Sequence, residues 1–297
     1  MTALNLSPEE LEKIRRIHVQ SRMVVDTLLG GEYRSAFRGY GMEFEEVREY
    51  SPGDEIKHID WNVTARAGRP YVKLYREERE LSLMMLLDMS ASGLFGSGGT
   101  AKRQKILECA GALGFAAISA RDRVGALLFS DRVEHYLPPR KGAGAVWNLI
   151  RNVLSFTPSR KGTDVAGALT YLGRVHPRRS VVFLLSDFLS SGCEQALKVA
   201  ARRHDLIGIH ITDPADGKLP PGGIVALQDL ENHAALEVDA GDPGVRRFYE
   251  ERYRARQEHI CGVLRRCGVD RLEMSTTDSV GDVLLRFFSL RERRRVS

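Results

Sequence analysis

Leu81-Ser82-Leu83-Met84-Met85-Leu86-Leu87-Asp88-Met89-Ser90-Ala91-Ser92 is an apolar run that stops at an acid and two hydroxyls. Charge precedes it (Glu77, Glu78, Arg79, Glu80) and glycine follows it (Gly93, Gly96, Gly98, Gly99). A run of this length between such boundaries predicts a strand buried on both faces, as in the interior of a parallel sheet. Asp88, Ser90 and Ser92 then fall at its carboxyl end. In open α/β sheets ligands bind at that end, where the loops leaving neighbouring strands diverge. A carboxylate with two hydroxyls is a set of small oxygen donors suited to a hard divalent cation.

Downstream, the pattern alternates. Helical spacing covers Lys102 to Arg121, then Arg123 to Phe129 reads as a short strand and Val133 to Leu137 as another, ended by Pro138-Pro139. Helices are expected over about Ala143 to Leu154 and Asp164 to Val175. Ser180-Val181-Val182-Phe183-Leu184-Leu185-Ser186-Asp187 repeats the opening theme of a buried strand that ends in an acid. A helix at Glu194 to Arg203, a strand at Leu206 to Thr212, a hairpin within Ile224 to Asp239, a helix at Pro243 to Arg266, a strand at Arg271 to Ser275 and a helix at Ser279 to Leu290 complete the series. Strands separated by helices of this length build a doubly wound, mostly parallel α/β sheet.

Upstream, Ser7-Pro8-Glu9-Glu10 is a capping box with proline at the first helical position, and Gly30-Gly31 stops the helix it starts. Met42 to Tyr50 and Tyr71 to Leu81 look extended around the turn Ser51-Pro52-Gly53-Asp54. The chain thus divides into 1–80, an amino-terminal helix with a small β-rich region, and 81–297, the α/β domain. Glu43, Arg48, Asp54, His58, Asp60, Trp61 and Arg66 crowd one short span, and an ion-pair network that holds a hairpin is preferred to catalysis as their role.

With 297 residues, 43% hydrophobic and 28% charged, the chain is of ordinary globular composition. Its net charge of +5 comes from intermixed Arg and Glu, which argues little for a nucleic-acid groove. The basic cluster Arg291-Glu292-Arg293-Arg294-Arg295 is expected to be a solvated end. Cys109, Cys193, Cys261 and Cys267 lack paired metal-ligand spacing, so buried reduced thiols and a cytoplasmic setting are expected. Neither a signal-peptide core nor an apolar stretch near twenty residues is seen, so no membrane insertion is expected. His58, His135, His204 and His210 form no zinc pair. The glycines after Ser92 precede no Gly-Lys-Ser/Thr, and so do not read as a phosphate loop.

Asp88-Ser90-Ser92, the loop Lys161-Gly162-Thr163-Asp164, and Ser186-Asp187 are all expected at one rim of the sheet. Each has a plain structural reading: Asp88 as a strand-end acid or cap, Ser90 and Ser92 as caps of the next helix, Thr163 and Asp164 as a helix N-cap. Three coincidences at strand ends shift the balance to a metal site. Together the three segments resemble the metal-ion-dependent adhesion site of von Willebrand factor type A domains. That resemblance implies Ser90, Ser92 and Thr163 as direct ligands of Mg²⁺ (or Mn²⁺), Asp88 and Asp187 as outer ones acting through water, and one open position for a partner's acid.

Gly41-Met42-Glu43-Phe44, Arg48-Glu49-Tyr50, Pro52-Gly53-Asp54, Ile59-Asp60-Trp61 and Ala65-Arg66 are similar to the signature of the bacterial family named "domain of unknown function 58". The resemblance covers roughly residues 35 to 215. It implies a type A fold behind the signature and an accessory or adaptor role beside a MoxR-type AAA+ ATPase. Gly93 stands where the family commonly has Met, and the amino-terminal membrane helices of many members are missing.

Several functions compete. A Mg²⁺-dependent protein-binding module, not itself an enzyme, explains the strand-end cluster without a nucleophile. A metal-dependent phosphohydrolase would want a second carboxylate two residues after Asp88, where Ser90 stands. Nucleic-acid binding through the basic surface lacks interleaved aromatics. The expected partner is a protein, the MoxR-type ATPase, that supplies an acidic residue to the metal.

Overall fold

In the computed structural model, residues 37, 43–76, 81–157, 162–220, 222–228, 230 and 234–296 are described. Lys161 and the helix expected after Ser7 lie outside them. The chain divides into two compact units, Arg38–Leu81 and a larger one that holds Phe37 and Ser82–Ser297.

In the smaller unit, β1 (Glu43–Glu49) and β2 (Tyr71–Arg76) pair antiparallel. The turn after β1 places Gly53 at φ +113°, a region that favours glycine. Arg48 grips the same turn through its two terminal guanidinium nitrogens, 2.7 and 2.8 Å from the two Asp54 carboxylate oxygens. A short helix, α1 (Trp61–Ala67), was not among the expected elements. Its start is local chemistry: Asp60 Oδ1 accepts from the backbone N–H of Asn62 and Val63, while its Oδ2 lies 3.2 Å from Lys73 Nζ. Gly68, in the left-handed conformation, ends it. Arg48, Asp54 and Asp60 thus hold the hairpin, in accord with their structural reading.

The larger unit runs β3 (Ser82–Asp88), α2 (Lys102–Ser119), β4 (Arg123–Phe129), β5 (Val133–Arg140), α3 (Ala143–Leu154), α4 (Val165–Val175), β6 (Val181–Ser186), α5 (Glu194–Arg203), β7 (Asp205–Thr212), the hairpin β8 (Ile224–Gln228) and β9 (Ala235–Asp239), α6 (Pro243–Arg266), β10 (Asp270–Ser275) and α7 (Val280–Val296). Six strands form one sheet in the order β10-β7-β6-β3-β4-β5, parallel except for β5 at the edge. The expected mostly parallel α/β architecture is therefore present.

Every residue of β3 after Ser82 is buried, because both faces are covered. Met84 and Leu86 share a core cluster with Val182 and Leu184 of β6, Leu169 and Leu172 of α4, Leu197 of α5 and Leu264 of α6. Leu83, Met85 and Leu87 alternate to the opposite face, as strand geometry requires. Each fully buried side chain of this size contributes roughly 1.5–3 kcal/mol.

Two expectations are corrected. Strand β5 runs through Pro138-Pro139 to Arg140. Proline lacks an amide donor but is tolerated on an edge strand, and the β4–β5 register shifts between Val124 and Ala126. Helix α7 continues past Leu290, and Arg291 is buried rather than solvated. Its guanidinium pairs with Asp205, lies 3.0 Å from Asp270 and covers the Phe37 ring at 5.0 Å. A residue counted as tail is a staple across the amino ends of β7 and β10.

Candidate functional site

The strand order reverses direction at β3. After β3 the chain moves outward to β4, whereas β6, β7 and β10 build the opposite half. Loops leaving β3 and β6 therefore part, and the crevice at such a switch point is where open α/β sheets receive ligands. Asp88 is the last residue of β3, and Ser186 with Asp187 closes β6 beside it.

At this point the side chains form a connected set. Asp88 Oδ1 accepts from the Ser90 backbone N–H at 3.0 Å, and its Oδ2 accepts from the Ser186 hydroxyl at 2.6 Å. Ser186 Oγ in turn accepts from the Phe188 N–H at 3.0 Å. Ser90 Oγ and Ser92 Oγ stand 3.0 Å apart. The 3₁₀ turn Ala91–Leu94 takes no side-chain cap, so the capping role weighed for Ser90 and Ser92 is not the one they perform. Asp187 Oδ1 lies 3.4 Å from the Leu189 N–H, while its buried Oδ2 has no hydrogen-bond partner. Burial, reinforced by the Asp187 carboxylate nearby, pushes the Asp88 carboxyl up to about 7.

Thr163 reaches the same rim by another route. Asp164 donates its N–H to Ser130 O at 2.7 Å, directly beyond the end of β4, and its carboxylate caps α4 by accepting from the Gly167 N–H at 2.8 Å. Thus Asp164 is a cap, as its plain reading had it, and by capping it anchors Thr163 at the carboxyl end of the strand beside β3. Asp88, Ser90, Ser92 and Asp187 thus stand at the carboxyl ends of β3 and β6, and Thr163 in a loop bonded just beyond the end of β4.

The loop between Ser92 and α2 is shaped by its glycines rather than by a phosphate. A Cβ on Gly96 would lie 2.3 Å from Thr100 O, so the loop closes only with glycine there. Ser97 is tied across the rim to Asp213 at the end of β7, by its hydroxyl at 2.6 Å and its N–H at 3.1 Å. The Thr276 hydroxyl donates to the same carboxylate at 2.6 Å. This loop delivers Lys102, which sequence reasoning passed over. Lys102 is buried, with Nζ 2.9 Å from Asp216 Oδ2 and 3.5 Å from Asp187 Oδ2. At the latter distance it forms an ion pair with Asp187 without a hydrogen bond.

Among the described residues no group of three or more His, Cys, Asp and Glu is arranged to hold a metal ion. The donors here are chiefly hydroxyls. All four cysteines are free, and burial pushes the Cys109 thiol up to about 12.

A chain with this sheet and this rim is matched over residues 46–259 by the model of the family described as "Protein of unknown function DUF58". It belongs to that family. An uncharacterized protein of Mycobacterium tuberculosis is 31% identical over 290 residues, which cover 96% of this chain and 91% of that one. An uncharacterized protein of Mycobacterium avium is 30% identical over 161 residues, 53% of this chain and 94% of its own. Among solved structures, the conserved hypothetical protein BatB from Bacteroides thetaiotaomicron is 15% identical, with a TM-score of 0.47 over 72% of this chain and 99% of its own. An aerotolerance-related membrane protein from Bacteroides fragilis gives 15% and 0.49 over 72% of this chain and 99% of that one. Among the described residues no helix is long and apolar enough to cross a membrane.

Proposed function

We propose that this chain is a non-enzymatic protein-binding module whose carboxyl rim holds Mg²⁺, or Mn²⁺, and uses it to engage an acidic residue of a partner. The observation that carries this reading is the pair of serine hydroxyls, 3.0 Å apart at the switch point, with Asp187, whose buried Oδ2 takes no hydrogen bond, just past the end of the adjacent strand. Two oxygens each about 2.1 Å from one octahedral Mg²⁺ and adjacent around it are separated by about 3.0 Å. Ser90, Ser92 and Thr163 would hold the ion directly. Asp88, with both oxygens already accepting hydrogen bonds, and Asp187 suit outer roles through water. The likeness to type A adhesion sites supports the same division.

A binding role also agrees with how the serines are engaged. Ser90 and Ser92 bond to one another, and Ser186 bonds to Asp88. A serine paired with an imidazole, Ser180 with His204 Nδ1 at 3.1 Å, lies buried at the opposite end of the sheet. The ion would supply positive charge that draws in a carboxylate, in a half-dry setting where the attraction exceeds that in bulk water. The association with MoxR-type AAA+ ATPases that the family resemblance implies makes such an ATPase the first partner to try.

Calorimetry of the full chain tests the metal. Mn²⁺ or Mg²⁺ binds the wild type, whereas Ser90→Ala/Ser92→Ala loses at least tenfold in affinity; equal binding by both chains overturns the site. With a purified ATPase of the MoxR type, chelator or Asp187→Ala weakens the complex by tenfold or more, since truncating one member of a desolvated charge contact costs ~2–5 kcal/mol. A complex indifferent to both sinks the metal-bridged reading. Phosphatase turnover that disappears in a folded Asp88→Asn chain would overturn the non-enzymatic role.

A further inference from the structure

Lys102 sits where two rules disfavour a lysine. The residue is buried, at 4% exposure, so its ammonium has left water, a cost that only well-placed anions offset. It occupies the first position of α2, the end of a helix that favours negative charge. Two such anions are present, Asp187 at 3.5 Å and Asp216 at 2.9 Å, and the Phe95 ring lies 5.7 Å from the ammonium. Lys102 N donates to Phe95 O at 2.9 Å, and the loop before it is pinned by Asp213, so the backbone that carries the ammonium is held in place. Where local rules are broken together, a functional constraint is the usual reason.

On the reading that the rim binds a divalent cation, we infer that Lys102 is a built-in competing cation: it balances Asp187 when no metal is present and so sets the metal affinity low. Asp216 gives the ammonium a second anchor, the nearer of the two. A metal beside Asp187 would share that carboxylate with a fixed positive charge a few ångströms away, and the repulsion lowers the affinity of the ion taken alone. A partner's carboxylate, which brings negative charge to the same place, offsets the repulsion. Metal and partner therefore favour each other's binding, and by linkage each does so by the same factor.

The experiment is Mn²⁺ titration of the full chain, followed by the paramagnetic resonance of free Mn²⁺ and by calorimetry. Lys102→Met alone takes the cation from buried Asp187 and half-buried Asp216, so Lys102→Met/Asp216→Asn is the principal variant. It removes one charge of each sign and keeps the net charge of the chain. Lys105→Met is the control. Lys105 lies on the same helix, is also buried, and pairs with Glu108 at 2.9 Å and Asp278 O at 2.9 Å. The double variant should bind Mn²⁺ at least tenfold more tightly than the wild type, and Lys105→Met should stay within about threefold. Collapse of the site would lower affinity, the opposite sign. Mn²⁺ should also raise the melting temperature of the double variant more than that of the wild type. Equal or weaker binding by the double variant, with the wild type still binding, overturns the role of Lys102 and leaves the metal reading intact, as does a gain of the same size in Lys105→Met. Failure of every chain to bind Mn²⁺ overturns the metal reading itself, and the inference with it.

Discussion

The two ends of the central sheet treat buried charge in opposite ways. At the amino ends of β7 and β10 one guanidinium, that of Arg291, stands between two carboxylates, Asp205 and Asp270, against an aromatic face. At the carboxyl ends of β3 and β6 the carboxylates of Asp88 and Asp187 are close enough for one to raise the pKa of the other, and the single ammonium of Lys102 is shared with Asp216. The first end is a fastening between elements distant in sequence. The second keeps negative charge in a place from which water is largely excluded, an arrangement that stability alone disfavours. The sheet is the same and the charge balance differs, and the proposed cation site rests on that difference.

Breaking the fastened end should have the largest effect on stability. Arg291→Ala removes a buried partner of two acids and should cost about 3–5 kcal/mol in urea denaturation, while Mn²⁺ affinity stays unchanged. A loss below about 1 kcal/mol would mean that Arg291 is solvated after all.

A smaller effect is expected from acid at the same end. His204, stacked on His176 at 6.4 Å between ring centres, is held by burial at about 4, below its ordinary 6.5. The unfolded chain therefore takes up a proton between pH 6.5 and about 4 that the folded chain refuses, so stability falls as pH is lowered through that window. Roughly 1–2 kcal/mol of the fall is assigned to this ring, after allowance for screening by solvent. His204→Gln should flatten the denaturant midpoint against pH over that window; an unchanged profile would remove His204 as a cause. His210, buried beneath the rim at 5.8 Å from the Phe188 ring, adds a fall of the same sign.

The smallest change in stability should come from the rim. Asp88→Asn removes one of two like charges yet keeps an oxygen to accept from the Ser90 N–H. Without metal it should match the wild type or exceed it by about 1 kcal/mol, since the burial and the Asp187 repulsion that disfavour the Asp88 carboxylate no longer act. Metal binding should nonetheless be lost. A large loss of stability with metal binding retained would reverse the contrast between the two ends.

Much of the rim could be read in advance because its signals are local. The burial of Leu83 through Leu87, with the acid and hydroxyls after them, is written in consecutive residues, and so is the cap at Asp164. Asp60 and Gly68 also bracket α1 locally, but a helix of seven residues between two strands is too short for periodicity to reveal it. Pro138-Pro139 misled because proline stops an interior strand and not an edge strand, and edge position is a property of the sheet.

What the sequence determined by itself was the succession of strands and helices and the chemistry at their ends, since hydrophobic period, capping residues and turn residues act over a few positions. Which ends meet was decided by tertiary structure. Ser186 reaches Asp88 across 98 residues, Ser97 reaches Asp213 across 116, and Arg291 reaches Asp205 across 86. Those pairings come from the strand order β10-β7-β6-β3-β4-β5, which is a consequence of how whole layers pack and is carried by no single stretch of residues. Lys102 shows the point most clearly: in the sequence it is only a lysine at the start of a helix, and the neighbouring ends of β6 and β7 turn it into a buried cation facing Asp187.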